Sequence, residues 1–279
     1  MAALYSGWVG RSEETEELIT PAPAQAAAAM LDDETTSFVE GAPLPPLWQW
    51  FFFLPHAPQS RLSPDGHPER GGFLPPVELP RRMFAGARMR FLRPLTIGRP
   101  ARRRSVIRDV TEKDGRTGKL AFVTVGQSIR QDGEVCLEEE QDIVYREPGG
   151  PVPAPTPCEP AAVPAGAWSR VVTPDPTLLF RFSALTFNAH RIHYDRGYAT
   201  GVEGYPGLVV QGPLTAVLLM ELVRRNAGRP VTAFAFRAQA PLFDLAPFRL
   251  LATPGPGRVQ LEAQGPDGKT TMTATADLA

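Results

Sequence analysis

Cysteine is nearly missing from this chain: Cys136 and Cys158 are the two present, with no Cys-x-x-Cys spacing and no histidine pattern around them. That excludes a disulfide framework and the common zinc motifs. It suits a reducing compartment, so a cytoplasmic location is expected, with no metal. Long apolar runs are missing too. The longest, residues 47–54 and 213–223, fall well short of the roughly 20 residues that a membrane-spanning helix needs. Residues 1–17 carry acidic groups early and lack the apolar segment of a secretory leader. Neither sign of charge dominates. Lys and Arg total 29, Asp and Glu 30, and the net charge is -1. Nucleic acid and membrane surfaces are therefore not expected partners. The run Arg102-Arg103-Arg104 is expected on a solvated strand or turn.

No Gly-x-Gly-x-x-Gly or His-Glu-x-x-His element occurs. Residues 263–270 (AQGPDGKT) approximate a phosphate-binding loop, but such a loop must feed a helix whose amino end faces phosphate. The next residues, TMTATA, alternate and favour a strand, so this segment reads as a hairpin.

Proline, by contrast, is abundant, with 31 residues in two clusters. One spans 43–80 and is broken by the aromatic run LWQWFFFL. The other, PGGPVPAPTPCEPAAVP, has the composition of an extended linker, because proline favours polyproline II and removes backbone donors. It divides the chain into residues 1–147, a linker at 148–167, and residues 168–279. The two halves look alike. Arg90-Phe91-Leu92-Arg93-Pro94-Leu95 and Arg237-Ala238-Gln239-Ala240-Pro241-Leu242 precede strand-like stretches. Asp132-Gly133 and Asp267-Gly268 each lead into another, and an Asp-Gly pair between strands is a strong hairpin signal. Two matches in the same order point to a duplicated module.

Each half also offers a helix. In the first it should begin near Pro21 and Pro23, within TEELITPAPAQAAAAML. In the second, Pro213 opens an apolar stretch closed by Arg224-Arg225, which complements the helix dipole. A helix that apolar is normally wrapped by other structure. One buried helix and several long antiparallel strands per half describe an α+β protein with a curved sheet around a helix.

Residues 182–225 read FSALTFNAHRIHYDRGYATGVEGYPGLVVQGPLTAVLLMELVRR. This segment resembles the MaoC-like hydratases, a hotdog-fold family acting on coenzyme A or acyl-carrier thioesters. The family pattern Asp-x-Asn-Pro-x-His-x-Asp is matched by the window from Asn188 to Asp195, followed by Ala199, Gly204, Pro206 and Gln211-Gly212. The variant FNAHRIHYD with YPGLVVQGPL is similar to a subgroup of 3-methylfumaryl-CoA (mesaconyl-C4-CoA) hydratases, itaconyl-CoA hydratases and 3-hydroxyacyl-thioester dehydratases. LPPVELPRRMFAGARMRFLRPLTIGRP in the first half is similar to it too. Three positions depart from the pattern. Asn188 stands where the family has its catalytic Asp and cannot exchange a proton near neutrality. His190 stands at the usual Asn, and Gln211 at the usual His.

The resemblance implies a double hotdog with the motif in the second module and the first supplying a facing wall. It implies reversible hydration of an enoyl thioester, by a hydro-lyase without cofactor, on a short branched dicarboxylic acyl-CoA such as mesaconyl-C4-CoA or itaconyl-CoA. A homodimer is compatible with it. Hydration needs a base for water, an acid for the α-carbon and donors for the enolate oxygen between the two events. His193 is the candidate acid/base, because its ordinary pKa of about 6.5 serves either role. Asn188 could hold the water, and the Gly212 N–H at a helix start could polarise the carbonyl. His190, Asp195 and Gln211 are supporting candidates; Asp195 equally suits a turn cap. Pro206, Val210 and Arg88 are candidate substrate contacts. Arg81, Arg82 and Arg88 could meet phosphates or a carboxylate, with a solvated face as the default. His56 and His67, in the Pro/Gly-rich loop, are expected in solvent. The aromatic run is expected in the core or as a wall for the acyl or pantetheine arm. Two rival readings are a hotdog thioesterase, with water attacking the carbonyl, and a silent acyl-CoA binding module.

Overall fold

The computed structural model describes residues 4–115 and 118–279. Ten strands form one sheet: β1 (Ser12–Leu18), β2 (Arg81–Phe91), β3 (Pro100–Gly115), β4 (Gly118–Gln131), β5 (Glu134–Arg146), β6 (Trp168–Val172), β7 (Val231–Ala238), β8 (Phe248–Gly255), β9 (Arg258–Gln264) and β10 (Thr270–Leu278). Their order is β1-β3-β4-β5-β2-β7-β10-β9-β8-β6. Read outward from the centre, β2-β5-β4-β3-β1 mirrors β7-β10-β9-β8-β6, so the two halves share one topology. They meet where Gly86 to Arg90 of β2 pairs antiparallel with β7. A Cβ on Gly86 would lie 2.5 Å from the Phe236 carbonyl oxygen, so this seam requires glycine. The Asp-Gly turns join β4 to β5 and lead into β10, with Asp132 (φ 51°), Gly133 and Gly268 at positive φ.

The helices are α1 (Pro21–Met30), α2 (Pro176–Leu185), α3 (Arg196–Gly201) and α4 (Gly212–Asn226). All of Leu214 to Val223 on α4 is buried, and the helix packs on β6, β8, β9 and β10. It is the wrapped helix expected of the second half. In the first half a helix starts at Pro21 as expected, but it is not the wrapped one. Its helix α1 follows outer strand β1 just as α2 follows outer strand β6, and both open on proline. Thus α1 is the counterpart of α2, and it packs against α2 and the 3₁₀ turn Trp48–Phe51. No counterpart of α4 occurs among the described residues. Proline recurs every few residues from Pro43 to Pro80, and each proline removes a helix donor and clashes with the preceding turn. The aromatic run fills that place, with Trp48, Phe51, Phe52 and Phe53 at 3% exposure or less.

Residues 147–164 contain no helix or strand. They lie along the second half: the Val152 N–H donates to the Gly204 carbonyl and the Cys158 N–H to that of Pro266. The arginine run lies in β3 against the acidic β1. Strand alternation turns Arg102 outward to Glu16 and Arg103 inward to the Phe53 carbonyl, so the solvated setting holds for only part of the run. No helix among the described residues is long and apolar enough to cross a membrane.

Candidate active site

A cavity of about 630 Å³ opens between the two halves. The first half contributes Trp50, Phe52, Phe53, His67, Arg82 and Arg103 to its wall, and the second contributes Phe182, Asn188 and Pro213. The aromatic run therefore serves both as core and as wall. Among the motif candidates, Asn188 reaches this surface directly.

Asn188 follows α2 on a loop that Phe187 starts in the left-handed region (φ 49°). Its Oδ1 accepts the His190 N–H at 3.0 Å, an Asx turn that fixes the loop. Because a backbone N–H can only be met by the carbonyl oxygen, the amide orientation is set, and Nδ2 is left as a donor toward the cavity. His193, in the 3₁₀ turn Arg191–His193, is 7% exposed and does not line the cavity. Its Nδ1 lies 2.7 Å from the Val209 carbonyl, which only accepts, so Nδ1 carries the proton and Nε2 is the free acceptor. Val209 lies shortly before α4, so the ring stands beside the helix start. Burial pushes the His193 pKa down to about 4, against the raising effect of the Val209 carbonyl.

Gly212 opens α4, and its N–H, like other first-turn donors, has no protein acceptor among the described residues. A Cβ there would meet only the Phe84 carbonyl oxygen, at 3.7 Å. Gln211 is buried. Its Nε2 donates at 2.9 Å to both the Leu179 carbonyl and Ser183 Oγ, tying α2 to the start of α4, while its Oε1 has no partner.

Several expected site residues stand elsewhere. Asp195 caps α3, accepting the Tyr198 N–H at 3.0 Å, and pairs with Arg191 at 2.7 Å; it is a cap. Pro206 and Val210 do not line the cavity, and Val210 is held by the Leu242 carbonyl. Arg88 points away on the exposed sheet face, where Asp142 and Glu140 pair with it, because a bulge in β2 between Phe84 and Gly86 reverses the alternation and gives it the opposite facing to Arg82. Arg81 is buried against Glu203 rather than solvated.

The largest departure is His67. Expected in solvent, its side chain is 15% exposed and lies against the motif. Its Nδ1 is 3.0 Å from Asp65 Oδ2, and Asp65 Oδ1 accepts its backbone N–H at 2.9 Å. The His67 and His190 ring centroids are 4.1 Å apart, and His190 and His193 are 5.4 Å apart. The carrying loop is docked on the motif: the Arg191 N–H donates to the Asp65 carbonyl, and Arg191 Nη1 to that of Pro64, 127 residues away in sequence. Burial and the Arg82 charge lower the His67 pKa, and Asp65 opposes them. Burial, with the neighbouring histidines, lowers that of His190. For Asp65, burial raises the pKa, but the hydrogen bonds and charge of His67 outweigh it and hold it well below the carboxylate range. Asp65, His67 and His190 offer one ligand-capable atom each within 4.8 Å of one another. Both Asp65 oxygens and His67 Nδ1 are already joined by hydrogen bonds, which is the arrangement of a proton-transfer dyad. The sequence signal available was an Asp-Gly turn ending in histidine, Pro64-Asp65-Gly66-His67, that joins no two strands.

The family model for hydroxyacyl-thioester dehydratase type 2 matches residues 47–244. The chain is 64% identical to a mesaconyl-C(4)-CoA hydratase of Chloroflexus aurantiacus over 277 residues, 99% of each chain. It is 29% identical to the mitochondrial hydroxyacyl-thioester dehydratase type 2 of Schizosaccharomyces pombe, over 74% of this chain and 77% of the other. In fold it resembles a MaoC-like dehydratase at TM-score 0.75 and 17% identity, covering 99% of both chains. It also resembles a Mycobacterium tuberculosis protein described as a double hotdog at 0.59 and 13%, covering 97% of this chain and 96% of the other. The fold is a double hotdog.

Proposed function

Because this chain belongs to the hydroxyacyl-thioester dehydratase type 2 family, and is thereby a hydro-lyase of acyl thioesters, we propose that its substrate is mesaconyl-C4-CoA or a closely similar branched dicarboxylic enoyl-CoA. The observation that carries the substrate is 64% identity to a mesaconyl-C(4)-CoA hydratase along the whole chain. The cavity chemistry supports it. Aromatic walls suit a short acyl chain, and Arg82 and Arg103 present guanidinium groups matched to a carboxylate. Arg82 has no ion-pair partner among the described residues, which leaves it available to the substrate's free carboxylate.

In this reading the thioester carbonyl docks at the start of α4, where the Gly212 N–H and the helix dipole stabilise the enolate oxygen. The Asn188 amide holds the attacking water. His193, whose Nε2 is unprotonated, is the acid/base group that the motif itself offers. The modules are residues 1–147 and 168–279, the second carrying the motif and the first the facing wall. No resident cofactor is part of the reading, and the assembly is a homodimer, which light scattering at twice the chain mass would confirm.

Hydration of a panel of enoyl-CoA thioesters, followed by loss of the conjugated thioester absorbance, tests the function. Dicarboxylic substrates should be preferred. His193→Ala should lower kcat by about 10²-fold or more, and near-native turnover would remove His193 from its role. Arg82→Gln should raise KM for the dicarboxylic substrate by roughly 10-fold or more while leaving a monocarboxylic enoyl-CoA little changed. Equal effects on both substrates would show that Arg82 does not read the carboxylate.

A further inference from the structure

We propose that Asp65 and His67, carried into the site by a loop of the first module, form the base that activates water, an inference that rests on the hydratase reading of the reaction. It begins from a deficit, since Asn188 occupies the carboxylate position of the family motif and cannot take a proton. His193 alone remains on the motif side, and it does not line the cavity. His67 does, beside Asn188.

The geometry is that of an oriented imidazole. Nδ1–H donates to Asp65 Oδ2 at 3.0 Å, which leaves Nε2 as the acceptor. The neighbouring carboxylate fixes the tautomer and stabilises the imidazolium that forms, as the aspartate does in a Ser-His-Asp triad. The loop is built for this placement. Gly66 has φ +91°, and a Cβ on it would lie 1.8 Å from the Ala189 carbonyl oxygen, so the two loops touch at backbone distance. Ser63 and His67 close a small turn through the Ser63 N–H, and Arg191 donates to both Asp65 and Pro64. The charged and titratable groups facing His67 are Asp65, Arg70, Arg82, His190 and His193.

His67 Nε2 takes a proton from water as the C–O bond forms at the β-carbon. The C=C electron pair moves to the thioester oxygen, held at Gly212. The enolate then returns the pair to the α-carbon, which takes that same proton back from His67 Nε2. The Asp65 carboxylate favours the proton's arrival at His67, and burial with the Arg82 charge favours its departure. Dehydration runs the same steps backward, so atoms and charge balance in both directions.

Steady-state hydration by wild type, His67→Gln and Asp65→Asn on mesaconyl-C4-CoA tests the proposal, with thermal unfolding to establish that each variant is folded. His67→Gln should lose about 10²–10³-fold in kcat with KM within about 3-fold. Asp65→Asn is isosteric. Because Asp65 raises the His67 pKa, its removal should move the acidic limb of kcat/KM to lower pH as well as reduce kcat; a merely structural role would leave that limb in place. Wild-type activity with His67→Gln within about 3-fold of it would overturn the assignment of His67 and leave the hydratase reading standing. A wild-type chain that hydrates no enoyl thioester would overturn both. Loss of rate on chelator treatment, restored by Zn²⁺ alone, would also overturn it by making the cluster a cation site.

Discussion

At the scale of the residue, Gly212 and Asn188 separate what the fold needs from what the chemistry needs. Gly66 and Gly86 are forced, since a side chain at either would run into backbone. Gly212 is not forced, because a Cβ there would meet only one carbonyl oxygen, at ordinary contact distance. In the proposed docking its openness would let the thioester approach the N–H of a helix start. Gly212→Ala is therefore expected to unfold within about 1 kcal/mol of wild type and to lose roughly tenfold or more in kcat. Urea unfolding and steady-state rates on the same sample check this, and an alanine variant of full activity would remove the carbonyl from that position. Asn188 does two things with one amide: its oxygen caps the loop through the His190 N–H, and its nitrogen faces the cavity. An aspartate would keep the cap and replace the donor by an acceptor, so the asparagine is a change of chemistry without a change of shape.

At the scale of the element, the duplicated modules diverge where one has a helix and the other a proline-rich loop. The helix α4 was legible from its ends and its interior: proline at the start, apolar faces, two arginines at the end. The β4–β5 hairpin and the start of β10 were legible from Asp-Gly turns. The loop that replaces the helix in the first half was not. It has no periodicity, and its position is fixed by backbone contacts to a segment 127 residues away, which no local pattern encodes. For that reason His67 read as a solvent residue; Arg88 read as a substrate contact because the bulge between Phe84 and Gly86, which turns it outward, has no clear local signal. Gly66→Ala tests the loop as a unit. The added Cβ must push residues 63–67 off the motif, so kcat should fall nearly as far as in His67→Gln, with a stability loss of about 1–3 kcal/mol. Full activity in that variant would show that loop docking is dispensable. Gly86→Ala acts at the seam between β2 and β7 instead. It should lower the urea midpoint by the equivalent of about 2 kcal/mol or more, an unchanged midpoint meaning that the seam can shift without loss.

At the scale of the whole molecule, the two halves are locked by polar groups near the two ends of α4. Behind α4, the fully buried Glu221 accepts from Trp48 Nε1 and from Arg224, and Arg224 also pairs with Asp33 of the first half. At the motif end, three histidines and Asp65 close the contact. These two ends respond to acid in different windows. His190 and His193 are held neutral by burial, their folded pKa values lowered, that of His193 to about 4. Below about pH 6.5 the unfolded chain binds protons that the folded chain refuses, so stability falls with pH from there down to the folded values. For His193 the loss is on the order of 3 kcal/mol by pH 4. For Asp33, burial raises the pKa, but Arg224 and Thr36 outweigh it and hold it low. Its stabilisation is present above the ordinary carboxylate value and is lost only below about pH 4. The melting temperature should therefore begin to fall between pH 6.5 and 5, before the Asp33 carboxylate titrates. His193→Gln should flatten that segment while leaving the steeper loss below pH 4 intact. A melting temperature constant from pH 7 to 5 would mean that the histidines gain charge in the folded state without penalty, and that the motif end is wetter than its packing implies.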